Sequence, residues 1–510
     1  MAFLESLTGL MQFTSVTFLA FLAVSVAVYF ALPGIRTRAV WLLALSAGFY
    51  LLLSPRLFWV LAVVTATGYV VGLGIQRTRT LAGEEHRQRV GRLLLVVGVV
   101  FVTGILVTFK YLGFLAHTAN RVASVLSIET TFPALALMLP IGVSFWTFQA
   151  IAYVVDVYRG RTDAVGNPLL YALAVMFFPI VTAGPITRIQ VLVPQLAVRH
   201  RFQYAKMNSG LLLIGRGFFK KLMVADRLGV LVAAVFDNPH DFTGTGQGLV
   251  FFIAAAAFAV QLYCDFSGYT DIVRGSARLF GVELPVNFRA PYLARSVQEF
   301  WRRWHITLMD WFRDYIYIPL GGNRKGKLRR YLNIMAVFLV SGLWHGAGFT
   351  FVIWGALNGL YQIVGELLAP LRDRVVRVLR IDRSSAGHRV FQTGLTFVLI
   401  TVAWVFFRAG SIGDALYMLP RMFVPTPWIF TDGTLLRLGL SGAEFTVTLL
   451  SAVAIWIADW LSTRRDVLAD LRRQPLYVRW GVYYGLILAV AVFGHYGEGY
   501  NAADFVYFRF

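Results

Sequence analysis

Two histidines stand where apolar sequence makes them expensive, and imidazole is the side chain that titrates nearest neutral pH. His345 closes an apolar run as Trp344-His345-Gly346, and His305 sits in the segment Trp301-Arg302-Arg303-Trp304-His305. A histidine at membrane depth is costly to bury unless it pairs or works. Two at similar depth suit acid/base chemistry, in which one group takes or returns a proton beside another that holds a reacting atom. The other six histidines, His86, His117, His200, His240, His388 and His495, fall mostly in loops or near the ends of apolar runs, where an ordinary role suffices. A metal at His305 and His345 would lack a third ligand at a usable spacing, so none is expected.

Asp265, Ser267, Tyr269 and Asp271 form a second polar set inside Tyr263-Cys264-Asp265-Phe266-Ser267-Gly268-Tyr269-Thr270-Asp271. Carboxylates in apolar sequence pair or line a cavity, so a tie to Arg274, Arg278 or a helix N-terminus and a functional role both stand open. A third set is the basic turn Gly321-Gly322-Asn323-Arg324-Lys325-Gly326-Lys327, suited to anionic lipid, to phosphates or to fixing topology. It is not a Walker motif and predicts no nucleotide hydrolysis.

These residues need elements to position them. Trp301, Trp304, Leu308, Trp311 and Tyr315 follow a 3, 4, 3, 4 spacing, which predicts one amphipathic helix with Arg302, Arg303, Asp310, Arg313 and Asp314 on its polar side. By itself that pattern reads as an interfacial helix with aromatic anchors. The run 331–344 has only about 14 residues, roughly 21 Å at the helical rise, against a hydrocarbon core of about 30 Å. His345 is therefore expected inside the membrane region, at a break where Gly342, Gly346 and Gly348 let the chain turn and a ligand approach.

The whole chain is built to be held in lipid. It is 58% hydrophobic and 14% charged over 510 residues, where soluble domains carry about 25% charge. Apolar runs at 13–32, 93–109, 134–157, 249–263, 349–368, 391–407, 445–460 and 481–493 are among about eleven expected spans. The first of these reads as a span and not as a cleaved leader. The run 169–180, interrupted by Pro179, Gly184 and Pro185, reads as a re-entrant hairpin. The fold class is all-α and polytopic, with re-entrant and interfacial helices and no separate soluble domain, so 1–510 is expected to be one membrane-embedded domain. The net charge of +21 lies in loops between apolar runs, which points to the positive-inside rule and away from nucleic acid. Arg36 to Arg38, Arg77 to Arg92, Arg159 to Arg161, Arg289 to Arg330, Arg372 to Arg389 and Arg464 to Arg479 are then cytoplasmic, and the N-terminus and 409–442 are outside. Cys264 is the only cysteine, which excludes an internal disulfide. No internal repeat is evident, which weighs against a two-halved transporter.

The longest motif runs Glu299-Phe300-Trp301-Arg302-Arg303-Trp304-His305-Ile306-Thr307-Leu308, then Trp311-Phe312-Arg313-Asp314-Tyr315-Ile316-Tyr317-Ile318-Pro319-Leu320-Gly321-Gly322-Asn323, then Gly342-Leu343-Trp344-His345-Gly346. It resembles the signature of the membrane-bound O-acyltransferases. Pro140-Ile141-Gly142-Val143-Ser144-Phe145, the segment from Phe178-Pro179 to Gly184-Pro185, Asp265-Phe266-Ser267-Gly268-Tyr269, the opening 11–33 and the closing 505–510 agree with it as well. Within that superfamily the Ile-Pro-Leu-Gly-Gly-Asn turn is more similar to the alginate O-acetyltransferase branch than to the D-alanyl transfer proteins of teichoic acid. Ser341 and the Gly348-Phe349 pair depart from that branch's usual Gly and Ser-Trp.

The resemblance implies a ring of tilted helices around a thin centre, where a cytoplasmic donor tunnel meets an external acceptor funnel, with 263–346 as the catalytic core segment. It implies that His345 is the essential histidine and His305 the second active-site position. Trp304, Trp344, Asp265, Ser267, Tyr269, Arg302, Arg303 and Asn323 are the accompanying substrate-binding candidates. The expected reaction moves an acyl group, acetyl by this resemblance, from a cytoplasmic thioester to an extracytoplasmic acceptor in envelope polysaccharide. The donor would be acetyl-CoA or an acyl carrier protein thioester, with no bound cofactor. Membrane lipids and an external SGNH-type acetyltransferase or the polysaccharide itself are the expected partners, and a bacterial inner membrane is the expected site. Cys264 and Ser267 lack an evident neighbouring base in sequence, which favours direct transfer. Other readings are D-alanyl transfer to a teichoic acid-like acceptor, a proton-coupled transporter or flippase, or a scaffold that docks an external enzyme.

Overall fold

The computed structural model describes residues 12–133, 137–242, 248–496 and 505. Parts of the opening and closing motifs, residues 11 and 506–510, and the head of the run 134–157 lie outside the described residues. Every regular element among the described residues is helical, as lipid demands of a backbone that must satisfy its own N–H and C=O groups. Among the described residues seven helices are long and apolar enough to cross a membrane, and the pair Phe349–Leu367 and Ala369–Val378, bent by 51° at a short break, makes eight. The chain is a multi-pass membrane protein. Among the described residues the expected count of eleven is not confirmed, because other apolar helices fall below the length or apolarity of a plain crossing. Val16–Ala31 and Val143–Tyr158 have 16 residues each. Gly326–His345 is long enough at 20 residues, but Lys327, Arg329 and Arg330 dilute its first turns.

The chain groups into two compact units. Of the described residues, one unit holds those up to Ile214 with Ile272–Pro285, and the other holds those of Gly215–Asp271, those from Val286 to Tyr496, and Phe505. In the first, the run predicted to re-enter forms Pro168–Met176, only 9 residues and about 14 Å long. Asn167 caps it by accepting the Leu169 and Leu170 N–H groups, with Pro168 at the first position, where its missing N–H costs nothing. The chain then turns through Phe177, Phe178 and Val181, all buried, before Ile189–Leu196. Gln149 donates to the carbonyls of Ala174 and Thr187, tying both limbs of the turn to Val143–Tyr158. Irregular backbone survives here because protein satisfies it.

The second unit carries every candidate site residue. Its centre is aromatic. Trp354 stacks on Trp404 at 5.5 Å, and Trp301, Trp304 and Phe407 pack around them edge-on or tilted. The predicted single amphipathic helix is broken into Val297–Arg303 and Ile306–Phe312, with Trp304-His305 at the break. Trp301 and Trp304 are 4% and 2% exposed, so the stripe packs on protein and is no interfacial anchor. The break has a local signature, His305 at φ +46°, in the left-handed region that non-glycine residues rarely enter.

The predicted 14-residue helix is longer than expected, running Gly326–His345 over 20 residues. Gly342 does not turn the chain; it lies inside the helix. A Cβ there would stand 2.2 Å from the Phe351 carbonyl oxygen, and one on Gly355 would stand 2.3 Å from that of Phe338. The two glycines let this helix and Phe349–Leu367 meet backbone to backbone, as small residues do between membrane helices. Gly346 is small for a similar reason, since the Phe351 ring fills the place of its Cβ.

Candidate active site

His345 ends its helix in a cage of rings, with centroids of Trp344 at 4.8 Å, Trp354 at 5.0 Å and Phe407 at 5.3 Å. Three elements supply the cage: Gly326–His345, Phe349–Leu367 and Ala386–Arg408. His305 lies against the same indole, its ring 5.9 Å from Trp344 and 4.9 Å from Phe266. Both imidazoles are buried. The two histidines chosen from sequence 40 residues apart thus flank one tryptophan.

The His305 ring is oriented by Asn287, a residue the sequence reading missed. His305 Nδ1 donates to Asn287 Oδ1 at 3.2 Å, and the same oxygen accepts the Thr307 N–H at 3.2 Å and the Thr307 hydroxyl at 3.0 Å. A backbone N–H can only donate, so it fixes which end of the amide is oxygen. That in turn puts the imidazole proton on Nδ1, and neutral His305 carries its lone pair on Nε2. Asn287 is fully buried, and the Ile306 N–H donates to its carbonyl at 3.0 Å. The left-handed turn at His305 is thus clamped on both sides. Such strained backbone persists only where its surroundings over-determine it. The signal for Asn287 was an amide in the short polar link before the Trp-rich segment.

Asp265 does not meet Arg278, which pairs with Glu283. Its partner is Lys221, whose Nζ lies 2.7 Å from Asp265 Oδ1 and 2.7 Å from Asp226 Oδ1. Asp271 takes Arg216 at 2.5 Å and Lys220 at 2.9 Å. Among the described residues, Arg216, Lys220 and Lys221 thus face Asp226, Asp265 and Asp271, pairing of the kind a low-dielectric interior requires. The cations stand where helix Tyr204–Phe218 widens into a π-helical stretch, Phe219–Ala225. Such bulges are common at functional sites. Arg216, Lys220 and Lys221 in an apolar helix were the readable signal for this network.

The remaining candidates divide. Ser267 is buried, and its hydroxyl has no hydrogen-bond partner among the described residues. Tyr269 is buried edge-on to Phe505 at 5.2 Å. Trp304 packs into the tryptophan cluster at 5.3 Å from Trp404. Arg303 pairs with Glu299 at 2.5 Å, and Arg302 is exposed. Asn323 is exposed and accepts the Tyr317 hydroxyl, so the basic turn is a surface feature. Among the described residues no group of three metal-ligating side chains is assembled.

Residues 167–398, which hold both histidines, match the model of MBOAT, the membrane-bound O-acyltransferase family. The chain is 36% identical to the Pseudomonas putida protein named "Probable alginate O-acetylase AlgI", over 89% of each chain. It is 33% identical to the peptidoglycan O-acetyltransferase of Helicobacter pylori, over 79% of this chain and 78% of the relative. Similarity to the teichoic acid D-alanyltransferase of Streptococcus thermophilus is 27%, over 48% of this chain and 60% of the relative. With a histidine pair buried about one indole, and likeness over most of its length to relatives named for O-acetylation, the chain belongs to the membrane-bound O-acyltransferase family.

Proposed function

We propose that this O-acyltransferase moves an acetyl group from a cytoplasmic thioester to an extracytoplasmic hydroxyl, in the service of envelope polysaccharide O-acetylation in a bacterial inner membrane. His345 is the general base. The acceptor oxygen attacks the thioester carbonyl carbon while His345 takes the hydroxyl proton. The tetrahedral intermediate then collapses with cleavage of the C–S bond, and the proton held by His345 passes to the leaving sulfur. An ester and a free thiol result, with no covalent enzyme intermediate. Holding both substrates beside one indole removes the entropy of their encounter. Because only the acyl group crosses, the bulky donor stays on the cytoplasmic side.

His305 orients a substrate. With its proton committed to Asn287, neutral His305 accepts a hydrogen bond at Nε2 from a donor amide or the acceptor hydroxyl. It would stabilise an oxyanion only as an imidazolium. Trp304 and Trp344 wall the junction, and Ser267 and Tyr269 lie within the segment 263–346 read as the core. Asp265 acts through Lys221 in the buried ion network. The exposed Arg302 and Asn323 and the half-buried Arg303, paired with Glu299, belong to the cytoplasmic approach of acetyl-CoA or an acidic carrier protein, drawn in by positive charge. The acceptor is an envelope glycan or an external SGNH-type protein that relays the acetyl group to it; relatives named for alginate and peptidoglycan O-acetylation support this class.

The observation that carries the reading is the pair of buried imidazoles flanking Trp344. The test is transfer of labelled acetyl from each thioester donor to glycan or partner by the wild type and by His345→Ala. Transfer of D-alanine in preference to acetyl would move the protein to the other branch. Proton-coupled flux in liposomes without a thioester would instead favour a transporter.

A further inference from the structure

Away from the histidines, the second unit holds a cavity of about 240 Å³ lined by Arg295, Ser296, Arg372, Arg383, His388 and Gln392. Three guanidinium groups from separate stretches of chain converge on it. Arg295 precedes helix Val297–Arg303, Arg372 lies on Ala369–Val378, and Arg383 lies in the loop that follows. His388 and Gln392 come from the first turns of Ala386–Arg408, the end of a helix that favours anions. The neighbouring carboxylates are already engaged. Asp373 pairs with Arg383 at 2.5 Å, and Asp382 accepts the Ser384 N–H and hydroxyl at 2.7 Å each. Guanidinium forks match phosphate oxygens, and the volume equals that of about eight liquid waters, ample for a phosphate ester. Every one of these segments is cytoplasmic by the positive-inside reading.

The cavity also lies at a meaningful distance from the histidines. Ser296 caps Val297–Arg303 by accepting the Glu299 N–H at 3.1 Å, and that seven-residue helix, about 10 Å long, ends at Trp304-His305. Along Ala386–Arg408, Gln392 is about 18 Å from Trp404 by helical rise, and Trp404 packs on Trp304 at 5.3 Å. A pantetheine arm is a chain of about thirteen atoms from phosphate oxygen to sulfur, about 14 Å when extended at the reach of a polypeptide backbone. We propose that this cavity seats the phosphate that pantetheine carries, in coenzyme A or on a carrier protein, and so sets the reach of the thioester toward His305. The assignment rests on the acyl-transfer reading above.

The test uses the full chain in nanodiscs of zwitterionic lipid. Transfer is measured with acetyl-CoA, with acetylated phosphopantetheinyl carrier protein and with acetyl-pantetheine, which lacks the phosphate. Coenzyme A and carrier binding are measured in parallel on His345→Ala, which needs no turnover. Arg372→Gln/Arg383→Gln should raise the KM of the phosphate-bearing donor about 100-fold, about tenfold for each lost contact of about 1.4 kcal/mol. It should leave kcat and the KM of acetyl-pantetheine unchanged, and Arg377→Gln, on the same helix but outside the cavity, should behave as wild type. The coenzyme A arm and the carrier arm distinguish which molecule brings the phosphate. Unchanged donor KM and binding in the double variant would overturn the proposal, as would an effect seen only when anionic lipid is added, which would assign the cavity to a headgroup. No transfer by the wild type from any thioester would overturn the acyl-transfer reading instead, and an active His345→Ala would overturn only the general-base role of His345; in either case the binding arm still reports on the cavity.

Discussion

Asn287 Oδ1 takes three donors, and its bond from His305 Nδ1 decides what His305 can do. Removing that acceptor in Asn287→Leu should lower kcat about 10- to 100-fold, by analogy with the loss of partners that orient metal-bound histidines, with little change in donor KM. Asn287→Asp keeps an acceptor and adds a charge that favours the imidazolium. It should recover more activity than Asn287→Leu and move the acid limb of the pH–rate profile to higher pH. A merely structural role for Asn287 predicts lost folded yield with an unmoved profile. The histidines were legible in the sequence because each is a costly residue in apolar surroundings. Asn287 was not, because a buried amide in a loop announces itself only when its partners fold around it. The Asp265 partner was half legible: its burial could be read, but Lys221 lies 44 residues away on another helix, and residue types alone do not pair them.

Helix contacts decide where His345 points. Gly342 and Gly355 approach so closely that a methyl group at either would strike a carbonyl of the facing helix. Gly342→Ala is expected to destabilise by about 1–3 kcal/mol through overpacking and to lower acyl transfer by displacing His345, which lies three residues along. Gly365→Ala, with open space around its Cβ position, should leave melting temperature and activity near wild type; thermal unfolding in detergent compares the two. The π-helical stretch makes a second prediction. Lys221→Met removes the ammonium that lies between Asp265 and Asp226, and breaking such a buried pair costs about 3–5 kcal/mol. Adding Asp265→Asn should restore part of the folded yield, read by size-exclusion of the solubilised protein. The 3, 4, 3, 4 spacing named the right apolar residues on 301–315 but gave one helix where there are two. Periodicity reports which residues face inward; it does not register a left-handed break imposed by a tertiary clamp.

Charge placed between apolar runs gives the molecule its sidedness. Cys264 is buried and is the only cysteine, so Cys264→Ala provides a clean background for single reporter cysteines. A cysteine in 409–442 should react with an impermeant maleimide from outside intact cells, and one in 379–385 only after lysis; the reverse would invert the topology and with it the cytoplasmic donor side. Composition made the all-helical membrane class legible, whereas the number of spans was not fixed by it, because helices of 16 residues such as Val16–Ala31 and Val143–Tyr158 lie at the edge of the length a crossing needs. The claim that ties these parts together is that His345 takes the acceptor's proton. The measurement that tests it most directly is labelled acetyl transfer by wild type and His345→Ala in nanodiscs, with each thioester donor and the envelope acceptor, alongside a melting curve for each protein. A loss of about 100-fold or more at unchanged melting temperature, the lower reach of general-base catalysis, is the predicted result. Full transfer by a folded His345→Ala would contradict it.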